Sequence, residues 1–263
     1  MLKIEAVCNG TKNCTLSGQK AARLQWVSSG LALTLLAVMA GCGGGTSGGA
    51  SETKTTTQAF DFNLGMLGWT SDVSDLPANY NPAPDGFDIS YSVAPLPSPL
   101  DTSQKALRLT SFNQSDDLWQ FLKRRVTGLK ANTRYNVRFD VEIASDAPQD
   151  SVGIGGSPGG SVFVKAGAAA QEPKVEVQGG ARVFTLDKGN QAQEGTQSLN
   201  LGTVGISGEE FDYQLKRLNN GTRLFPVRTD SEGNLWVYVG TDSGYEGRKT
   251  LFYTSVKVTF VPA

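Results

Sequence analysis

The stretch from Tyr135 to Ile143 reads Tyr-Asn-Val-Arg-Phe-Asp-Val-Glu-Ile and alternates strictly between apolar and polar residues. Successive side chains of a β-strand point to opposite faces of the sheet, so this alternation predicts a strand with one face buried and one face in water. Such a strand indicates a sheet that covers a hydrophobic core on one side only.

Shorter segments of the same character recur along the chain, rich in Val, Phe, Tyr, Leu and Thr and bounded by Gly, Pro, Asn or Asp. They are residues 58–63, 87–93, 105–111, 118–126, 161–166, 174–178, 181–186, 197–204, 223–228, 234–240 and 250–261. About a dozen short strands separated by turn residues are typical of a β-sandwich or barrel. Residues 58–263 contain no second linker, so we predict a single all-β domain there.

One segment is ambiguous. Ser207 and Glu210 fit a helix capping box, and the apolar residues of 211–218 fit a helical spacing. The same residues also alternate with polar ones as a strand would. Because the neighbouring segments all predict strands, we favour a strand here.

The N-terminal part of the chain resembles a lipoprotein signal. Residues 1–30 carry four basic residues and one acidic residue, and an apolar run follows at 31–40 that is too short to span a bilayer. Met39-Ala40-Gly41-Cys42 resembles the bacterial motif in which the cysteine becomes the lipidated first residue of the mature protein. The resemblance implies a signal peptide at 1–41 and a membrane anchor at Cys42. Because Gly43 rather than Asp follows, it also favours the outer membrane.

Residues 43–57 are mostly Gly, Ser and Thr, a composition that behaves as a flexible coil. With the lipidated Cys42 they would form a tether, 42–57, that separates the domain from a bacterial envelope membrane. The sequence leaves open whether the domain faces the periplasm or the cell surface.

Composition excludes several functions. The chain has 24 Lys and Arg against 25 Asp and Glu, which argues against a nucleic-acid partner. It contains no histidine, which removes Ser-His-Asp catalysis and His-ligated zinc.

Polar loops supply the candidate ligand-binding residues. They are Asp116, Asp117, Asp187, Lys188, Asn190, Asp242, Ser243, Glu246 and Arg248. Asp and Asn in such loops also stabilise turns through their own backbone, which is the simpler interpretation. Ca²⁺ takes six to eight oxygen ligands, so a structural calcium held by Asp116, Asp117, Glu172 and Asp242 is a further hypothesis.

Aromatic residues divide into two groups. Trp69, Trp119 and Trp236 lie in or beside apolar segments and are expected in the core. Tyr80, Tyr91 and Tyr245 lie near loops and are the candidates for an exposed platform on which a sugar ring could stack.

The order of features is similar to that of carbohydrate-binding modules and galactose-binding-like jelly rolls. The layout is carried by Gly68-Trp69 near the start, Thr133-Arg-Tyr135 before the long strand, and Val256-Lys-Val258 in a closing strand. Motifs such as Asp187-Lys-Gly-Asn-Gln191 and 240–247 resemble those of uncharacterised bacterial envelope lipoproteins. The resemblance implies a jelly-roll β-sandwich, but no activity.

These observations favour an envelope lipoprotein whose domain binds a ligand, foremost a glycan, without catalysis. One alternative is a glycan hydrolase or lyase that uses carboxylates and needs no histidine, provided that the polar loops converge. Another is a structural or assembly partner of other envelope proteins.

Overall fold

The computed structural model describes residues 54–263, which form fifteen β-strands and a 3₁₀ turn at Phe62–Leu64. The strands are β1 (Thr56–Asp61), β2 (Thr70–Ser74), β3 (Leu76–Pro77), β4 (Ser90–Pro95), β5 (Lys105–Asn113), β6 (Leu118–Val126), β7 (Arg134–Ser145), β8 (Val162–Ala169), β9 (Val175–Gln178), β10 (Ala181–Phe184), β11 (Ser198–Thr203), β12 (Gln214–Asn219), β13 (Pro226–Arg228), β14 (Leu235–Ser243) and β15 (Gly247–Pro262). The fold is the predicted all-β jelly-roll sandwich. The predicted signal peptide, Cys42 and most of the predicted tether lie outside the described residues.

The strands form three antiparallel sheets. A seven-stranded sheet has the order β12-β7-β15-β5-β4, with β1 beside β15 and β13 beside β7. A five-stranded sheet has the order β11-β8-β14-β6-β2, and a three-stranded sheet has the order β3-β10-β9. The alternating strand predicted from the sequence is β7, which lies between β12 and β15 in the largest sheet.

The main core lies between the seven-stranded and five-stranded sheets. Val137 and Val141 of β7 pack in one cluster with Val237 and Val239 of β14, and all four are buried. From Tyr135 to Ile143 the buried residues of β7 occupy alternate positions, as the sequence predicts. Removing this apolar surface from water is the main contribution to folding.

The five-stranded sheet is also buried on its other face. Trp119 and Phe121 of β6 stack there with ring centroids 5.7 Å apart, and Tyr238 of β14 and Phe184 of β10 pack against them. The three-stranded sheet, which contains β10, therefore covers part of this face. A strand buried on both faces has a nearly continuous apolar sequence, as Leu118–Leu122 does.

Two differences from the predicted strands have local causes. Thr70–Ser74 and Leu76–Pro77 are strands that the sequence does not mark, since their apolar residues are few.

The ambiguous segment contains the strand β12, which pairs with β7, so the favoured prediction is confirmed for 214–219. Phe211 lies before this strand and is exposed. Across residues 54–263 no helix is long and apolar enough to cross a membrane.

Candidate functional site

A buried carboxylate on the outer face of the five-stranded sheet organises the candidate site. In β14, Val237 and Val239 pack into the main core, and Thr241 lies on the same face of the strand. Asp242 is the next residue, so its side chain faces away from the main core. Asp242 is 0% exposed. Its Oδ2 accepts hydrogen bonds from Lys165 Nζ at 3.0 Å, Lys188 Nζ at 2.9 Å and the backbone N–H of Gln191 at 2.9 Å. One carboxylate oxygen thus joins two strands and a loop.

Lys165 of β8 is fully buried beside Asp242. Besides Asp242, its ammonium donates to the carbonyl oxygens of Lys188 at 2.9 Å and Gln193 at 2.8 Å. All three ammonium hydrogens are used, as a buried ammonium requires. Burial lowers the pKa of Lys165, although the charge of Asp242 opposes that change. The role of Lys165 is to hold the loop from 185 to 197 on the sheet.

Lys188 links this buried pair to a second carboxylate. Its Nζ lies 2.9 Å from Asp242 Oδ2 and 3.0 Å from Asp75 Oδ2. Burial alone would lower the pKa of Lys188, but Asp242 and Asp75 together raise it. Asp75 follows β2 in the left-handed backbone region (φ 65°), and burial raises the pKa of its carboxyl group.

A third carboxylate, Asp117, completes the cluster immediately before β6. Burial and the charge of nearby Asp75 raise the pKa of Asp117 to about 6. Asp117 Oδ1 and Asp242 Oδ1 are buried and accept no hydrogen bond from the residues that the structure describes. Since unsatisfied buried polar atoms are rare, Asp117 Oδ1 marks a place where a polar ligand would gain a hydrogen bond.

The loop from 185 to 197 has its own internal support. Asp187 Oδ1 accepts the N–H of Gly189 at 3.1 Å, and Asp187 Oδ2 accepts the N–H and the hydroxyl of Thr196, both at 2.8 Å. Gly189 has φ 72°, and a Cβ there would lie 2.3 Å from the carbonyl oxygen of Gln193. Asp187 is therefore a turn-stabilising residue whose carboxylate also borders the cleft.

A cleft of about 270 Å³ opens beside the charged cluster. Its polar lining residues are Asp75, Asp117, Asp187, Lys188 and Asn190, and its apolar lining residues are Val183, Phe184 and Leu186. Five of the predicted residues, Asp117, Asp187, Lys188, Asn190 and Asp242, are thus brought to one place, four of them at the cleft and Asp242 behind it.

Asp75, Asp117 and Asp242 also have carboxylate oxygens within 4.8 Å of one another, a spacing compatible with a metal ion. Lys188 already lies between Asp75 and Asp242 and supplies positive charge there. The four predicted calcium ligands, Asp116, Asp117, Glu172 and Asp242, do not form one cluster in residues 54–263. Glu172 instead binds Lys123 Nζ at 2.8 Å, and the carbonyl oxygen of Asp116 accepts from Gln191 Nε2 at 2.9 Å.

The remaining predicted loop residues have separate roles. Ser243 Oγ donates to the carbonyl oxygen of Tyr245 at 3.0 Å, which stabilises the turn between β14 and β15. The backbone N–H of Glu246 donates to Ile154 O at 2.9 Å, and Arg248 forms an ion pair with Asp88. These residues shape a loop and do not line the cleft.

The three tyrosines predicted to form an aromatic platform, Tyr80, Tyr91 and Tyr245, are all half-buried. Tyr80 packs edge-on against Phe87, with ring centroids 6.0 Å apart. The hydroxyl of Tyr91 donates to the carbonyl oxygen of Trp69 at 2.8 Å. Tyr245 packs against the main core. All three rings pack against buried apolar residues that are not adjacent to them in the sequence.

Lys165 and Asp75 are the residues that the sequence analysis missed. Lys165 interrupts the apolar strand Val162–Ala169, and a lysine at such a position is a signal for a buried ion pair. Asp75 lies in a segment with no strong pattern, so nothing in the sequence singles it out.

The comparisons with known proteins concern the fold. No protein-family model matches the sequence, and no curated protein is similar enough to count as a relative. Several solved structures are similar to this chain at low sequence identity and low TM-score. Caldicellulosiruptor saccharolyticus CBM27-1 in complex with mannohexaose is 16% identical, with a TM-score of 0.35, over 79% of this chain and 98% of that chain.

The family 11 carbohydrate-binding module of a Clostridium thermocellum cellulosomal cellulase is 10% identical, with a TM-score of 0.33, over 79% of this chain and 95% of that chain. A cleaved adhesin domain of Lys-gingipain from Porphyromonas gingivalis is 12% identical, with a TM-score of 0.37, over 77% of this chain and 97% of that chain. Likenesses of this size do not assign a ligand to this chain.

Proposed function

We propose that this chain is a bacterial envelope lipoprotein, anchored through Cys42, whose domain binds a glycan without catalysis. The binding site in this proposal is the cleft formed by Asp75, Asp117, Lys188 and Asn190. The observation that carries it is Asp117 Oδ1, a carboxylate oxygen of a residue that lines the cleft and that lacks a hydrogen-bond donor within residues 54–263. Sugar hydroxyl groups are donors of that kind.

The composition of the cleft suits a sugar ring. The carboxylates, the ammonium and the amide of the lining can bond hydroxyl groups, and the apolar lining residues Val183, Phe184 and Leu186 can contact C–H groups. Binding sites commonly combine apolar walls with a few placed polar groups. The volume of about 270 Å³ lies below the roughly 300–1,000 Å³ typical of drug-sized ligands. We therefore expect recognition of one sugar unit, such as a chain end.

The test is affinity electrophoresis of the full chain, in detergent, through gels that contain different polysaccharides, together with a glycan array. We expect retention by at least one glycan, and at least tenfold weaker binding by Asp117→Asn and Asn190→Ala. Asp140→Asn is the matched control, because Asp140 forms a surface ion pair with Lys257 on the other large sheet. Binding that survives both cleft substitutions, or no glycan bound at all, would contradict the proposal.

Hydrolysis is the second candidate, favoured by one observation. Asp117, with a pKa of about 6, is suited to donate a proton, and Asp75 offers a carboxylate oxygen within 4.8 Å of it. Retaining glycosidases place two carboxyl groups about 5–5.5 Å apart. New reducing ends released from a bound glycan by the wild type, and not by Asp117→Asn, would replace the binding proposal with this one.

The membrane anchor rests on the lipoprotein-like sequence Met39-Ala40-Gly41-Cys42. Several acyl chains hold a protein stably at a membrane, whereas one chain gives only marginal binding. We expect Cys42→Ser to release the protein into the soluble fraction of bacterial cells. Cys14→Ser is the matched control and should leave the protein in the membrane fraction. Membrane association that persists in Cys42→Ser would argue against the anchor, and fractionation of the wild type tests the outer membrane.

A further inference from the structure

Two loops on the described domain are fixed to each other by backbone hydrogen bonds. Ile206 N–H donates to Ala147 O at 2.9 Å, and Gln149 N–H donates to Ile206 O at 3.0 Å. Gly205 packs so closely on Gln149 that the chain has no room there for a Cβ. The loops that follow β7 and precede β12 therefore share a rigid base.

Large apolar side chains project from this base into solvent. Val152 is 96% exposed and Phe211 is 60% exposed. Together with Pro148 and Gly208 they line a cleft of about 460 Å³, which we call the Val152–Phe211 cleft. It shares no lining residue with the cleft at Asp117. Exposed apolar side chains on a fixed surface mark sites of association.

The Val152–Phe211 cleft has an acidic rim. Asp150 and Glu209 line it, and Glu210 and Asp212 flank Phe211 in the chain. All four are exposed, and none forms an ion pair with another residue of the described chain. Lys216, a basic residue bonded to this base, is half-buried and donates to the carbonyl oxygen of Gly205. The rim therefore presents negative charge around an apolar centre.

We propose that the Val152–Phe211 cleft docks a protein segment in which an aromatic or branched aliphatic side chain is flanked by Lys or Arg. The apolar side chain would lie between Val152 and Phe211 and remove both from water. The flanking cations would meet Asp150 and Glu209, and this charge complementarity sets both the choice of partner and the rate of association. A polar glycan would leave the apolar walls without a partner, and an acidic segment would be repelled.

Peptide display on the full chain tests the proposal. A random peptide library is selected on the wild type, and the affinity of each recovered peptide is then measured by titration. We expect recovered peptides to combine one large apolar residue with two or more Lys or Arg, and to bind more weakly at high salt. Phe211→Ser and Glu209→Lys should each weaken binding at least tenfold. Both residues are exposed, so the variants should remain folded.

Leu224→Ser is the matched control, since Leu224 is 70% exposed outside the Val152–Phe211 cleft, and should leave affinity unchanged. The proposal is overturned if no peptide is recovered, if recovered peptides lack basic residues, or if they bind Phe211→Ser as tightly as the wild type. Asp117→Asn should not alter peptide binding, so the result is independent of the glycan experiment.

Discussion

Lys165 Nζ lies 3.0 Å from Asp242 Oδ2, and both side chains are completely shielded from solvent. Lys188 shares the same carboxylate oxygen. A single buried carboxylate therefore compensates two buried ammonium groups, with Asp75 as a further partner of Lys188. Removing one member of a buried ion pair leaves an uncompensated charge, which costs more than the pair contributes.

We expect Asp242→Asn to lower the free energy of unfolding by about 3–5 kcal/mol, because Lys165 and Lys188 would lose their shared charge partner. Denaturant unfolding measures this. Asp140→Asn removes the surface ion pair between Asp140, which is 37% exposed, and Lys257, which is 50% exposed. This substitution should lower the free energy of unfolding by no more than about 1 kcal/mol. Equal losses for the two variants would show that the Asp242 network is not a stability element.

The sequence predicted the strands better than the network that they carry. The alternation of 135–143 is local, so β7 could be predicted within two residues at each end. Asp187 and Asp242 resemble each other in the sequence, as acidic residues in polar segments. The first stabilises its own exposed turn, and the second is buried in β14 beside Lys165 of another strand. That difference arises from the pairing of β14 with β8, which brings together Lys165 and Asp242, 77 positions apart, and leaves no local pattern.

Lys249 provides a test of stability against pH. Its Nζ donates to Thr241 Oγ1 at 2.6 Å, and burial lowers its pKa from 10.5 to about 7. The unfolded chain therefore binds the proton more tightly than the folded chain, and stability should rise as pH increases from about 7 to about 10.5. Lys249→Met should abolish this rise.

At pH 7 we expect Lys249→Met to be more stable than the wild type by about 3 kcal/mol, since the lowered pKa implies a gain of roughly 4 kcal/mol and the lost bond to Thr241 offsets about 1 kcal/mol of it. Thermal unfolding from pH 6 to 10 measures the difference. Lys257→Met, at an exposed position, should keep the wild-type pH profile. A variant of Lys249 that is less stable at every pH would contradict the lowered pKa.

Asp117 should affect stability at acidic pH in the opposite sense to an ordinary paired carboxylate. Its pKa is about 6 in the folded chain against 3.8 ordinarily, so the folded state holds the proton more tightly. Stability should therefore fall as pH rises from about 4 to about 6 and then level off. Asp117→Asn should reduce this fall, to which the raised pKa of Asp75 also contributes, as measured by urea midpoints between pH 4 and 7.

Asp187→Asn is the contrasting control for Asp117. Hydrogen bonds from Thr196 and Gly189 lower the pKa of Asp187, so its contribution is present above the ordinary pKa and is lost as pH falls. The two variants should thus change the pH profile in opposite directions. If Asp117→Asn keeps the wild-type slope between pH 4 and 6, the raised pKa is wrong.

Calcium binding should depend on Lys188. Asp75, Asp117 and Asp242 offer oxygens within 4.8 Å of one another, but the ammonium of Lys188 occupies the space between two of them. Three carboxylates with Lys165 and Lys188 leave one net negative charge, which is little attraction for a divalent ion. With Lys188→Gln the net charge becomes −2, and the oxygens of Asp75 are no longer paired.

We expect millimolar Ca²⁺ to raise the melting temperature of Lys188→Gln and not that of the wild type, as ligand binding to the folded state requires. Lys123→Gln, which frees Glu172 instead, is the matched control and should not respond. A wild-type melting temperature that falls on chelation would show that the wild type already binds calcium, and would contradict the prediction that Lys188 must first be removed.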